Sequence, residues 1–405
     1  MDEAPENASR AGTAGEVFGT FLRLGLTSFG GPVAHLGYFR TELVLRRRWL
    51  DERAYADLIA LCQFLPGPAS SQVGFALGLR RAGLFGALAA WTGFTLPSAI
   101  LLVAFAYATS ALTGPIAGGL LHGLKLVAVA VVAQAVWGMA RSLAPDRQRA
   151  GIALAAVLIA TFAPVSIGQI AAIGLGGLAG LWLCRQTDEP AADQLGFRVP
   201  RSLGIAALTV FTILLVAPPL IGAATKWQGL AVFDAFYRSG ALVFGGGHVV
   251  LPLLQAAVVQ PGWVSQGDFL AGYGAAQAVP GPLFTFAAYL GTVMHPWPNG
   301  IIGAIVSLAG IFLPGLLLLV GTLPFWDAFR RYRSAQAAMR GANAAVVGIL
   351  AAALYDPIWT NAVLRPADFA IALAGFLLLT VWKVPPWVVV VLLAATGLLT
   401  FTPAP

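Results

Sequence analysis

Phe21-Leu22-Arg23-Leu24-Gly25 runs into Phe29-Gly30-Gly31, and Phe236-Tyr237-Arg238-Ser239-Gly240 runs into Phe244-Gly245-Gly246. The second stretch repeats the first at an offset of 215 residues (236 against 21). Further along, Gln63 before Pro66-Gly67-Pro68 returns as Gln277 before Pro280-Gly281-Pro282, and Leu96-Pro97 returns as Leu313-Pro314. The chain is one module used twice. The repeated residues are glycines, prolines and an arginine set in apolar sequence, which predicts a two-fold all-α membrane fold built on broken helices.

Composition fixes the environment. Of 405 residues, 58% are hydrophobic and 10% charged, and the mean hydropathy is +0.81, far from the quarter or so of charged residues in soluble domains. This is the composition of a polytopic membrane protein. The expected organisation is a polar tail over 1–15, a first repeat over 16–184, a polar linker over 185–202, one linking transmembrane helix over 203–222 and a second repeat over 230–402. The acidic start has no basic region before an apolar run, so no cleaved signal peptide is expected. Cys62 and Cys184 read as apolar filler. The net charge of +7 sits in short loops, where lipid headgroups and insertion rules account for it, and nucleic acid is not an expected partner.

Loop charges set the orientation. Arg40, Arg46, Arg47, Arg48 and Arg53 precede the first Pro-Gly-Pro segment and Arg80 and Arg81 follow it, so that segment is expected to enter, break and return on the positive side. Arg141, Arg147 and Arg149, and then Arg185, Arg198 and Arg201, mark later inner loops. In the second copy the flanks 259–267 and 295–298 carry no Lys or Arg, while Arg330, Arg331, Arg333 and Arg340 follow the next helix. The pattern is inverted. It predicts two inverted repeats related by an axis in the membrane plane, with the N-terminus cytoplasmic and the C-terminus outside. The first segment of each copy is also read as a re-entrant hairpin, broken at Gly30-Gly31-Pro32 and at Gly245-Gly246-Gly247.

A helix broken at membrane depth is tolerated where it lies inside protein or lines a wet cavity. The half-helix that restarts there offers free N–H groups and about half a positive charge, which suits an anion. Pro68 followed by Ser70 and Ser71 fits such a start; Leu283-Phe284-Thr285 is the less polar counterpart, so the anion is expected nearer the first copy. Arg23 and Arg238 are expected to hold an oxyanion in bidentate fashion, against the alternatives of snorkelling or pairing with Glu16. Further candidates are Ser28, Lys125 (with Asn343 as its counterpart), and His35 and His248, which read equally well as packed histidines. Asp57, Asp234 and Asp268 lie near segment ends, and no proton relay is visible. Phosphate loops, nucleophile elbows and metal-spaced His/Cys clusters are absent, which leaves no basis for an enzyme, a cofactor or a metal.

The Phe29-Gly30-Gly31-Pro32 and Gln63-Phe64-Leu65-Pro66-Gly67-Pro68 stretches, with their copies at 244–247 and 277–282, resemble the signature segments of the chromate transporter family in its long-chain, two-domain form. The resemblance spans about 16–402. It implies a bacterial or archaeal inner-membrane protein that exports chromate, with sulfate as the related anion. Gly247 in place of the motif proline and the missing serine pair after Pro282 depart from that pattern. Export of a dianion from a cytoplasm held negative by about 100 mV gains about 2 × 2.3, or roughly 4.6 kcal/mol, so the potential suffices and exchange for a proton stays open. A sulfate importer and a non-transporting scaffold are the alternatives. The two halves complete a site in one chain, and a homodimer stays open.

Overall fold

The computed structural model describes residues 12–111, 114–163, 165–185, 197, 199–225, 227–244, 246–295, 297–326 and 332–400. The tail up to residue 11, Arg198 and most of the linker, Gly245, Arg330, Arg331 and residues 401–405 lie outside the described residues. Among the described residues there is helix and no strand. Five helices are long and apolar enough to cross a membrane: Ala69–Thr109, Ile116–Leu143, Arg201–Gly222, Gly300–Phe325 and Arg333–Ala362.

Helix α1 (Ala14–Thr27) starts at Thr13, whose Oγ1 accepts the Glu16 N–H at 3.1 Å, and stops where Ser28 turns extended and Gly30 takes φ 98°. Helix α2 (Gly31–Phe39) restarts there and continues as a π-helical stretch, Arg40–Arg46. Asp51 caps α3 (Glu52–Phe64), which ends at the first Pro-Gly-Pro. Helix α4 (Ala69–Ala111) restarts after it and folds back at Ala82 and Gly83, where Gly78 and Gly86 let the two arms touch. The outer ends of these arms meet. Gly12 N–H donates to Arg81 O at 3.0 Å, and Glu16 pairs with Arg81 at 3.3 Å and with Arg47 at 3.8 Å. Both hairpins therefore enter and leave by one end of the molecule.

Helices α5 (Pro115–Leu143), α6 (Arg147–Phe162) and α7 (Val165–Leu183) complete the first copy, and α8 (Arg201–Thr225) joins it to the second. There α9 (Gln228–Ala241) repeats α1, and α10 (Val250–Leu254) lies within the helical stretch Gly247–Val259 that follows the break. Helix α11 (Gln266–Ala276), capped by Ser265 at the position matching Asp51, repeats α3. Helices α12 (Phe286–Val293) and α13 (Gly300–Thr322) repeat the two arms of α4. The outer ends of this set also meet, with His295 N–H donating to Trp263 O at 2.8 Å. Tyr107, late in α4, reaches Gly300 at that end: a Cβ there would stand 2.9 Å from the hydroxyl. Residues 84–107 of α4 thus run from one cluster to the other, about 35 Å at 1.5 Å per residue.

Helices α14 (Arg333–Ala353), α15 (Pro366–Thr380) and α16 (Pro386–Thr400) close the chain. Packing follows the duplication. Gly25 and Gly93 bring α1 onto α4, and Gly240 and Gly310 bring α9 onto α13, small residues allowing close approach where lipid supplies no hydrophobic drive. The copies also exchange arms: α5 of the first packs on α15 and α16, while α14 of the second packs on α6 and α7 through Gly341 against Gly176 and Gly180. Helices α6, α15 and α16 have 15 or 16 residues, fewer than the 20 or so a perpendicular span requires.

Candidate functional site: two crossed helix breaks

The four breaks meet. Gly67 N–H, in the first Pro-Gly-Pro, donates to Val243 O at 2.8 Å, just before the second Phe-Gly-Gly. Gly281 N–H, in the second Pro-Gly-Pro, donates to Ser28 O at 2.9 Å, just before the first Phe-Gly-Gly. Each copy's proline break is stitched to the other copy's glycine break. Only glycine fits at the donors: Gly67 has φ 121° and a Cβ there would stand 2.9 Å from Gly315 Cα, while Gly281 has φ 103° and its Cβ would meet Ser98 Oγ at 2.9 Å. Pro66, Pro68, Pro280 and Pro282 end the strands of helix on either side.

Pro32 and Gly247, the matching third positions of the two glycine motifs, face one another. A Cβ on Gly247 would lie 3.4 Å from Pro32 Cγ and 3.7 Å from Leu283 Cδ2. The departure from proline at 247 thus falls where the two copies touch. Helical restarts begin at Gly31, Ala69, Gly247 and Leu283, and those whose preceding residues are Gly30, Gly246 and Pro282 have no side-chain cap. Their first-turn N–H groups are the donors an anion takes.

Polar side chains gather on the first copy's side. His35, 1% exposed, places Nδ1 3.4 Å from Ser70 Oγ and its ring edge-on to Phe94 at 5.2 Å. The buried hydroxyls of Ser28, Ser71 and Thr95 and the Oε1 of Gln72 have no hydrogen-bond partner among the described residues. Gln72 also spans the copies, donating from Nε2 to Pro66 O at 3.0 Å and to Gly315 O at 2.9 Å. Unpartnered hydroxyls in a buried place are costly alone and suited to receiving an acceptor-rich guest. In sequence Gln72 reads only as part of the Ala69-Ser70-Ser71-Gln72 helix start, and Thr95 and Ser98 are signalled only by the Leu96-Pro97 echo that they flank.

The arginines are the main correction. Arg238 Nε pairs with Asp234 at 2.8 Å, one turn earlier, and its Nη2 donates to Leu215 O at 3.2 Å. That carbonyl lies four residues before Pro219, which has no N–H to give it. Arg238 therefore ties α9 to α8. Arg23 lies on an exposed face of α1, and Glu16, the alternative partner, bonds Arg81 and Arg47. In the first copy Gly19 stands where Asp234 stands in the second, and among the described residues no helix precedes α1 as α8 precedes α9. Neither guanidinium is brought to the breaks.

Other candidates scatter. Lys125 Nζ sits 3.1 Å from where a Cβ on Gly267 would stand, at the first turn of α11, with Asp268 as the nearby carboxylate. His248 Nδ1 bonds Tyr273 Oη at 2.6 Å, in the short helical turn Gly247–Val249 that packs against Leu283–Thr285. Gln63 is exposed, whereas Gln277 is half-buried with Nε2 unpartnered among the described residues. Gly245 is outside the described residues. Cys62 and Cys184 are buried free thiols, and among the described residues no group of His, Cys, Asp and Glu has metal-binding spacing.

The fold and the crossed breaks define a duplicated, all-α polytopic membrane protein in whose interior the helix breaks of both copies meet. Comparison with known proteins gives the family: the chromate transporter family model matches residues 15–181 and again 230–398, and the chain belongs to that family. It is 31% identical to a chromate transport protein of Pseudomonas aeruginosa over 94% of this chain and 90% of that one. It is also 26% identical to a probable chromate transport protein of Synechococcus elongatus, covering 82% of each chain, and 26% identical to a chromate transport protein of Cupriavidus metallidurans, covering 82% and 80%. No solved structure matches.

Proposed function

We propose that the chain is an inner-membrane oxyanion transporter that exports chromate, driven by the membrane potential. The observation that carries this reading is the crossing of the four breaks, which gathers helix N-termini and the hydroxyls of Ser28, Ser70 and Ser71 in one buried place. The anion is held by amide and hydroxyl donors, nearer the first copy, and no side-chain cation is needed. Four partial helix charges of about half a unit each match a dianion in magnitude. A tetrahedral oxyanion offers eight or so lone pairs to such donors, and sulfate shares the chemistry.

The two copies run in opposite directions, with the Glu16–Arg47–Arg81 cluster on the cytoplasmic face and the Trp263–His295 cluster outside. Alternating access then rocks one set of hairpins against the other about the crossing. The test is anion flux in everted vesicles, with chromate, sulfate and molybdate in competition. Potential-driven chromate uptake is expected; intact protein that moves none of the three sinks the proposal.

A further inference from the structure

His122 and Asp368 meet between α5 and α15, with side chains 8% and 0% exposed and Nε2 2.9 Å from Oδ1. Neither residue stands out in the sequence, where 246 positions separate them. The carboxylate is heavily bonded. Its Oδ2 accepts the N–H groups of Leu364 at 3.1 Å and Arg365 at 3.0 Å, and its Oδ1 accepts from His122 and from Arg365 Nη2 at 3.4 Å. Four donors occupy the four acceptor positions of a carboxylate, so a proton arriving here has its place on the imidazole.

An imidazole can be neutral or carry a proton, which is what a proton-binding site requires. Neutral or protonated, it can donate through Nε2, so proton uptake adds a charge without removing the contact to Asp368. Other titratable groups on the elements packed against α5 are Arg365 on α15, Tyr355 and Asp356 in the kinked stretch after α14, Arg333 and Arg340 on α14, and Asp268 and Tyr273 on α11. Lys125 lies one turn further along α5, and α16 has none. Arg340 is engaged with Cys184 O at 3.0 Å and Tyr273 with His248. Helix α5 belongs to one copy and α15 to the other, so the pair straddles the surface that must shift in an alternating-access cycle.

We propose that His122, held by Asp368, is a proton-binding site whose proton moves opposite to the anion. This rests on the oxyanion-transport reading above. One proton taken up per dianion expelled moves three charges per cycle instead of two. The main packing partners of α5 are α11, α14, α15, α16 and the kinked stretch after α14, whereas Ser28, Ser70 and Ser71 stand at the breaks of the first copy's hairpins. Anion exchange and proton coupling are therefore separable by mutation.

The experiment uses the full chain in proteoliposomes, with chromate as the anion. In the wild type the reversal potential is expected to shift with a transmembrane pH difference, with three charges per chromate. In His122→Gln, chromate–chromate exchange is expected to persist while the shift is lost and the charge falls to two; Asp368→Asn serves if the first variant misfolds. A pH-insensitive reversal potential in the wild type, or an unchanged shift in both variants, overturns the proposal. A second arm needs no transport: of the histidine ring signals in labelled protein in nanodiscs, the one absent from His122→Gln should respond to proton uptake. A ring that does not titrate overturns the site, and a wild type that exchanges no oxyanion at all overturns the transport reading while the titration still decides whether the pair binds a proton.

Discussion

Replacing Gly67 by alanine tests the crossed breaks at their tightest point. The residue has φ 121°, a region that costs an L-residue about 1–3 kcal/mol, and the new Cβ would stand 2.9 Å from the backbone at Gly315 Cα. Relief of that overlap requires α13 to retreat, at about 1–3 kcal/mol for an overpacked interior. Retreat also stretches the Gly67 N–H bond to Val243 O, a buried pair whose loss costs roughly 1 kcal/mol. The total, about 3–7 kcal/mol, is large beside an ordinary margin of stability of about 5–15 kcal/mol. Gly19→Ala is the control, since Gly19 is helical with nothing within 4 Å of its Cβ position and alanine gains up to about 1 kcal/mol in a helix. Melting of the detergent-solubilised protein and chromate flux are the readouts. Gly67→Ala should melt several degrees lower and lose most of its flux, with Gly19→Ala at or above wild type. Equal melting temperatures and equal flux for Gly67→Ala and wild type would refute the argument that the breaks are held by close backbone contact.

Arg238→Gln should loosen α8 from α9, lowering stability by about 1 kcal/mol because the ion pair is part-exposed, with chromate KM unchanged; a large KM increase would restore the arginine to the site. Arg23→Gln should leave melting temperature and KM as they are. Ser70→Ala and Ser71→Ala should each raise chromate KM about tenfold or more, one hydrogen bond to a charged group being worth about 1.5–3 kcal/mol, with expression preserved. At the start of α6, bonds from the backbone N–H and side chain of Arg149 hold the Asp146 carboxyl below its ordinary 3.8. A depressed value stabilises the fold above the unfolded pKa and is lost as pH falls through the folded one. The melting difference between wild type and Asp146→Ala should accordingly be constant near neutrality and shrink in acid below about pH 4.

Much of the architecture was legible because it is written as repetition. The Phe-Gly-Gly and Pro-Gly-Pro pairs marked the breaks, since glycine at φ above zero and proline without an N–H have few other uses in apolar sequence. What repetition does not state is which copy each break touches. Gly67 to Val243 and Gly281 to Ser28 cross between copies, and no spacing along the chain encodes that. The arginines misled for a related reason: Arg23 and Arg238 match in sequence, yet Asp234 and the carbonyl freed by Pro219 exist for one of them alone. Cost in the membrane was read as a demand for substrate, when in Arg238 a neighbouring carboxylate meets it. His122 and Asp368 lie 246 positions apart, so only the fold reveals that the carboxylate is fully buried against the imidazole.

The exchange of arms has a consequence for how the chain is made. Helix α5 leaves the ribosome early, yet the helices it packs against, α11, α14, α15 and α16, all lie beyond residue 265. For more than a hundred residues of synthesis its protein-facing side has lipid as its neighbour, and the first copy stays an unfinished half. Split expression of the two halves should therefore yield stable protein when they are made together and not when either is made alone, because assembly is completed by the last helices to arrive.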